Sequence, residues 1–249
     1  MDSNTGAPAA TLSVGSIISR TWGTLMKKPG VYLGICFVFG LVATLINVGL
    51  TLANPMLGSL LGNIISMIIN LLGGAAIVYV AFQDLRDVRM GLKEALIYVS
   101  GRLVPLFLVA LLSGLGIGIG MLLLVVPGIF LACIWIVAVP ACVVEKLGPV
   151  DCLRRSMELT KGYRLTIFGA LVVIVVAFII FGAIATFLGG AVLTMTTSIA
   201  VMALTAALLS LVLTLIPSAM LTLITAILYA DLRSAKEGIS KESLAEVFD

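Results

Sequence analysis

The sequence predicts an all-α polytopic membrane protein: six transmembrane helices arranged as three hairpins, with cytoplasmic interfacial amphipathic helices between them. Composition is the first observation behind this. Of the 249 residues 61% are hydrophobic and only 11% charged, with a mean hydropathy of +1.25, and a soluble surface needs more charge than that. The second observation is where the charges fall. Apart from Asp2, all 15 Lys and Arg and all 12 Asp and Glu lie in four segments: Arg20 to Lys28, Asp84 to Arg102, Glu145 to Arg164 and Asp231 to Asp249. Each uncharged stretch between them is long enough for two bilayer-crossing helices of about 20 residues. The apolar runs lack the alternation of barrel strands, so helices must satisfy the buried backbone.

The elements follow in order. Residues 1–11 are polar, read as disordered, and carry no Lys or Arg, so a cleaved signal with a basic start is not expected. Residues 12–232 form a single membrane domain, with spans expected at 30–52, 58–82, 103–125, 128–145, 165–188 and 198–229 and a cytoplasmic tail at 233–249. The outer connections, Ala53 to Leu57, Val126 to Gly128 and Gly189 to Thr197, are short and uncharged. Because every Lys and Arg lies on the other side, the positive-inside rule makes that side, with both termini, cytoplasmic. Tyr32, Tyr79, Tyr98, Tyr163 and Tyr229 fall beside the same segments, as amphipathic rings at a headgroup boundary do. The location expected is a bacterial inner membrane.

Three stretches between spans have a helical period. Residues 12–27 place Val14, Ile17, Ile18, Trp22 and Leu25 on one face and Ser13, Ser16, Arg20, Thr24 and Lys27 opposite, the pattern of a helix lying in the interface. Residues 149–161 start at Pro149, carry Asp151 in the first turn and Lys161 in the last, and stop at Gly162, with Val150, Leu153 and Met157 as the apolar stripe. Residues 91–102 show the pattern more weakly through Leu92, Leu96, Val99 and Leu103.

Chemistry inside the spans is sparse. Apart from Glu145 at the very end of the fourth, no Asp, Glu, Lys or Arg, the usual marker of an ion or proton path, lies in them. The strongest polar side chains are Asn47, Asn63 and Asn70, which read either as interhelical hydrogen bonds or as a polar track for a solute. Gly114 with Gly118 and Gly116 with Gly120 form interleaved GxxxG pairs that permit close helix contact. Pro127-Gly128 reads as the tight outer turn, and Pro140 and Pro217 as kinks in the fourth and sixth spans. The four cysteines show no CxxC pairing and read as small apolar residues. There is no histidine at all, which removes the commonest catalytic base and metal ligand. No catalytic residue, cofactor or metal is therefore expected, and no basic patch with interleaved aromatics points to nucleic acid.

The densest polar cluster runs from Glu145-Lys146 through Asp151, Arg154, Arg155, Glu158 and Lys161 to Arg164. Arg154 and Glu158 can pair at i, i+4. Arg154, Arg155, Lys161 and Arg164 read as a contact for a lipid phosphate or another anion, or as an ordinary positive-inside flank.

The run Val126-Pro127-Gly128-Ile129-Phe130-Leu131, then Val139-Pro140, then Val144-Glu145-Lys146-Leu147-Gly148-Pro149, then Leu153-Arg154-Arg155-Ser156-Met157-Glu158-Leu159-Thr160-Lys161-Gly162 resembles the signature of the glycerophosphoryl diester phosphodiesterase membrane domain family. The ending Tyr229-Ala230-Asp231-Leu232-Arg233 with Lys236-Glu237-Gly238 is similar to that family's close, and the likeness begins at the Ser19-Arg20 helix. In some relatives the resemblance implies a fused soluble phosphodiesterase barrel that performs hydrolysis. Its chemistry is His-assisted and metal-dependent, and this chain has neither the length nor the histidine for it. The expected role is a non-catalytic membrane module that meets membrane lipids, or anchors a protein partner or a second copy, at the cytoplasmic face. The alternative is a transporter or channel for a small solute or lipid that uses the asparagines.

Overall fold

A computed structural model describes residues 13–85, 92–193 and 199–237, and every regular element among them is an α-helix. The order is α1 (Val14–Lys27), α2 (Pro29–Ala53), α3 (Pro55–Leu85), α4 (Leu92–Ser100), α5 (Leu103–Leu123), α6 (Val125–Trp135), α7 (Ala138–Glu145), α8 (Pro149–Thr160), α9 (Arg164–Leu193) and α10 (Ile199–Glu237). Among the described residues six helical segments are long and apolar enough to cross a membrane: α2, α3, α5, α6 with α7, α9 and the Leu213–Glu237 part of α10. The polar stretch 1–11 and the tail beyond Glu237 lie outside the described residues.

The six spans are not equivalent. In α3, α6–α7 and α10, 39 to 44% of the most apolar stretch is buried by protein, against 11 to 17% in α2, α5 and α9. The first set therefore forms the core of the bundle and the second its lipid-facing rim. α2 packs along α3 and α5 along α6, while α10 touches α1, α2, α3, α7, α8 and α9. One cluster joins α2, α3, α4, α5, α7 and α10 through Tyr32, Ile77, Val99, Leu106, Cys142 and Leu223, and another joins α1, α6, α7, α9 and α10 through Ile17, Cys133, Ala141, Ile167 and Tyr229.

Short turns close the helices. Asn54 alone separates α2 from α3, and its Oδ1 accepts from the amides of Met56 at 3.2 Å and Leu57 at 3.1 Å, with Pro55 at the first helical position where its missing N–H costs nothing. Leu124 alone separates α5 from α6. Pro127-Gly128 is thus not the outer turn but part of the first turns of α6, where proline is tolerated for the same reason. Gly128 instead serves close packing: its added Cβ would strike Met121, and one on Gly120 would lie 3.0 Å from the Gly128 Cα. Of the two glycine pairs, Gly116 and Gly120 face α6, whereas Gly114 and Gly118 have nothing within 4 Å.

The fourth span is broken rather than kinked. α6 stops at Trp135 and α7 begins at Ala138, with Val137 at φ −103° and ψ 12° between them. Pro140 explains the position, since its ring would collide with the Ile136 carbonyl of a continuous helix and offers it no N–H. α10, by contrast, carries Pro217 without interruption. It also runs to Glu237, eight residues past the boundary expected at 229, so Asp231 and the first residues of the expected tail, Arg233 and Glu237 among them, are helical. α9 similarly extends to Leu193, into the connection expected at Gly189 to Thr197, and residues 194–198 lie outside the described residues.

Candidate functional site at the charged end of the bundle

The charged segments meet at one end of the bundle and are tied there by polar contacts. Arg20 of α1 pairs with Asp231 of α10. Lys28, between α1 and α2, reaches Asp84 of α3 at 2.6 Å, and the Tyr32 hydroxyl donates to the same carboxylate at 2.9 Å. Arg102, just before α5, donates to the Cys142 carbonyl at 3.1 Å and the Lys146 carbonyl at 2.9 Å, while the Tyr98 hydroxyl donates to the Val143 carbonyl at 2.9 Å. The orphan carbonyls that end α7 are thereby satisfied by a cation and a phenol, the partners that a helix C-terminus favours.

The largest network joins three elements. Arg155 of α8 donates from Nε to both oxygens of Glu145 at 2.9 Å, and its Nη2 pairs with Glu237. Glu145 also accepts from the Tyr229 hydroxyl at 2.7 Å, and Arg233 donates to Glu237 at 2.8 Å. Tyr229, Arg233 and Glu237 stand at i, i+4 and i+8 on α10, so one helix face delivers all three. Burial works against the Arg155 charge, but the hydrogen bonds to Glu237 and Glu145 outweigh it and hold the guanidinium above its ordinary pKa. It stays a cation at every physiological pH.

α8 also repairs the break in the fourth span. The Ser156 hydroxyl donates to the Ile134 carbonyl at 2.6 Å, and Thr160 reaches the same oxygen at 3.4 Å. That carbonyl lies in the last turn of α6, where it lacks an intrahelical partner, and hydrocarbon surroundings would leave it unsatisfied. Docking at the break decides which face of α8 is buried. Its buried face is Cys152, Ser156, Leu159 and Thr160, while Val150 and Met157 of the expected apolar stripe are exposed to the surroundings of the bundle. Small side chains permit the close approach that the hydroxyl bonds require. Cys152 sits in this contact, its Sγ donating to the Leu147 carbonyl at 3.6 Å, and the neighbouring Cys142 thiol together with burial pushes its pKa well up. In α1 Ile17, Thr21 and Leu25 are buried, and Trp22 of the expected apolar face is half-exposed.

The expected anion-contact residues separate accordingly. Arg155 is consumed by its two carboxylates. The Arg164 guanidinium stacks over the Phe130 ring at 5.1 Å, with its Nε buried and without an acceptor. Arg154 is 70% exposed and approaches only Asp151, at 4.0 Å, instead of the Glu158 expected as its partner. Lys161 is exposed as well. The open face of α8 therefore carries Arg154 and Lys161 as its cations, with Asp151, Glu158, Val150 and Met157 around them.

The asparagines do not form one track. Asn47 donates to Asn63 at 3.1 Å, a bond between α2 and α3, whereas Asn70 donates to the Ser66 carbonyl of its own helix at 2.8 Å. Asn63 and Asn70 both lie on the exposed rim of the bundle.

Sequence reasoning misses most of this clasp of Glu145, Arg155, Tyr229, Arg233 and Glu237: it places Glu237 in a tail and links Glu145 to neither Arg155 nor Tyr229. The i, i+4, i+8 spacing of Tyr229, Arg233 and Glu237 was the signal that could have joined them.

Six apolar helices, charges gathered at one end and a bundle whose rim is exposed hydrocarbon define a multi-pass integral membrane protein. Residues 88–247, well over half of the chain, match the family model described as the membrane domain of glycerophosphoryl diester phosphodiesterase, and the chain belongs to that family. The match takes in both halves of the clasp, the Glu145–Arg155 run and the Tyr229–Glu237 face, but not the Ser19-Arg20 region where the likeness was expected to begin. No curated protein and no solved structure matches the chain.

Proposed function

We propose that this chain is a non-catalytic membrane module of a bacterial inner membrane, with three two-span hairpins and both termini cytoplasmic, that engages the phosphate of lipid headgroups through the open face of α8. The observation that carries the reading is the contrast between adjacent arginines. Arg155 is built into the bundle, while Arg154 projects 70% exposed beside Lys161, with Val150 and Met157 on the same surface. Cations beside apolar side chains suit a surface where phosphate lies directly above hydrocarbon. Asp151 and Glu158 leave the face without net charge, so recognition there depends on local geometry more than on a long-range field. In this reading α1, α4 and α8 lie along the cytoplasmic interface as amphipathic helices.

The non-catalytic assignment rests on the absence of histidine and on the use of Glu145 and Glu237 in ion pairs, which leaves them unsuited to base catalysis. Native mass spectrometry tests the headgroup contact. The double variant Arg154→Ala/Lys161→Ala should retain fewer phosphatidylglycerol and phosphatidylethanolamine molecules than the parent, and equal retention would sink the proposal. Turnover of glycerophosphodiesters by the pure protein would overturn the non-catalytic assignment.

A further inference from the structure

A groove of about 210 Å³ lies between α9 and α10 beneath α1. Its floor is Ile174 and Ile224, both nearly buried, and its walls include Ile18, Ala177, Phe181 and Pro217. Every side chain that lines it is apolar. From this groove we infer a binding site for one hydrocarbon chain of a bilayer phospholipid, distinct from the headgroup contact on α8.

Three observations select this occupant. The first is chemistry: a lining without polar side chains gives water or a polar solute nothing to bond, and apolar cavities of this kind stay dry. The second is depth. At a rise of about 1.5 Å per residue, Val173 to Phe181 lie roughly 14 to 26 Å along α9 from Arg164, and Ile224 to Ile216 roughly 10 to 23 Å along α10 from Asp231. Both segments belong to membrane-spanning stretches, so the medium at the mouth is lipid tail. The third is size. An apolar cavity of about 150 Å³ takes one benzene ring, so this groove holds a chain segment somewhat longer than that.

The packing explains why the gap exists. Only 17% of the apolar stretch of α9 is buried, and the side chain it presents midway along the groove is Ala177. Burial of a lipid chain there completes a contact that α9 and α10 do not make with each other. α1 covers the end nearer the charged residues, with Ile18 in the lining and the half-exposed Trp22 four residues on.

The experiment uses the full chain in vesicles of phosphatidylethanolamine and phosphatidylglycerol doped with a phosphatidylglycerol that carries a mid-chain diazirine. After irradiation, peptides containing residues 173–181 and 216–224 should be labelled several-fold more than the exposed α5 face around Ile119. Unlabelled phosphatidylglycerol should compete that excess away, and Ala177→Phe should abolish it while labelling at Ile119 stays constant. Should Ala177→Phe fail to fold, Ala177→Leu and the competition arm decide the question on their own. Labelling equal to that of α5, an excess that no competitor removes, or a crosslink between two copies at these peptides would each overturn the assignment. Arg154→Ala/Lys161→Ala should leave the groove labelling in place, so failure of the headgroup proposal and failure of this one are separately visible.

Discussion

Of two neighbouring arginines, one should be costly to replace and the other nearly neutral. Arg155→Ala removes a bifurcated bond from Nε to both oxygens of Glu145 and the pair with Glu237, and leaves Glu145, whose side chain is 14% exposed, with the Tyr229 hydroxyl as its remaining partner. Breaking a buried pair costs about 3–5 kcal/mol when the remaining charge is stranded. Here Arg155 is 23% exposed and Glu237 keeps Arg233, so the low end, about 3 kcal/mol, is the appropriate figure. For a chain of this size each kcal/mol moves the melting temperature by roughly 2–4 °C, which gives a fall of about 6–12 °C. Arg154→Ala removes only an exposed side chain at 4.0 Å from Asp151 and should lie within about 0.5 kcal/mol of the parent. Thermal unfolding in one detergent, followed by size-exclusion recovery, measures both. Equal losses for the two variants, or an unchanged Arg155→Ala, would refute the claim that the clasp holds α7, α8 and α10 together.

Other residues give independent tests. Gly128→Val drives a side chain into Met121 of α5 and should cost about 1–3 kcal/mol as overpacking, whereas Gly118→Ala meets open space and should be neutral or stabilising by up to about 1 kcal/mol; a melting comparison that reverses this order would show that the wrong glycine pair has been placed against α6. Ser156→Ala combined with Thr160→Val strands the Ile134 carbonyl and should cost about 1–3 kcal/mol, read as a lower melting temperature, while Ser156→Ala alone should cost less if Thr160 closes in. Maleimide should label Cys133, Cys142 and Cys152 only after denaturation, since all three are buried and the Cys152 thiol is held protonated above its usual range; rapid labelling of Cys152 at neutral pH in the folded protein would contradict the docked position of α8.

Much of the fold was readable because charge and hydrocarbon are segregated along the chain. Six membrane helices follow from long uncharged stretches whatever their packing, since lipid penalises an unpaired backbone group everywhere. The start of α8 at Pro149 and its stop near Gly162, which has φ +96°, were equally local. What was not readable depended on rotation and on partners distant in sequence. Arg154 and Arg155 are chemically alike and adjacent, and only the docking of α8 on the α6–α7 break turns one toward Glu145 and the other outward. Helical periodicity picks out Val150, Leu153 and Met157 as the apolar stripe because it counts apolar side chains, and so leaves open which face docks on the bundle. It does not register that an unpaired carbonyl at Ile134 requires hydroxyls.

The sequence by itself determined that this is an all-α membrane protein with six spans, that its charge is confined to one set of connections, and that its central run resembles a known membrane-domain family. Those properties are sums over many residues, each contributing a small transfer free energy of the same sign, so no single contact has to be known. The tertiary structure decided which glycine pair meets a neighbour, that Pro140 breaks its span while Pro217 sits inside an unbroken helix, that the end of α10 is helical to Glu237, and that Glu145, Arg155, Tyr229, Arg233 and Glu237 form one clasp. Each of these turns on the partner available to one group, a carbonyl, a carboxylate or a missing Cβ, and that partner lies on another helix.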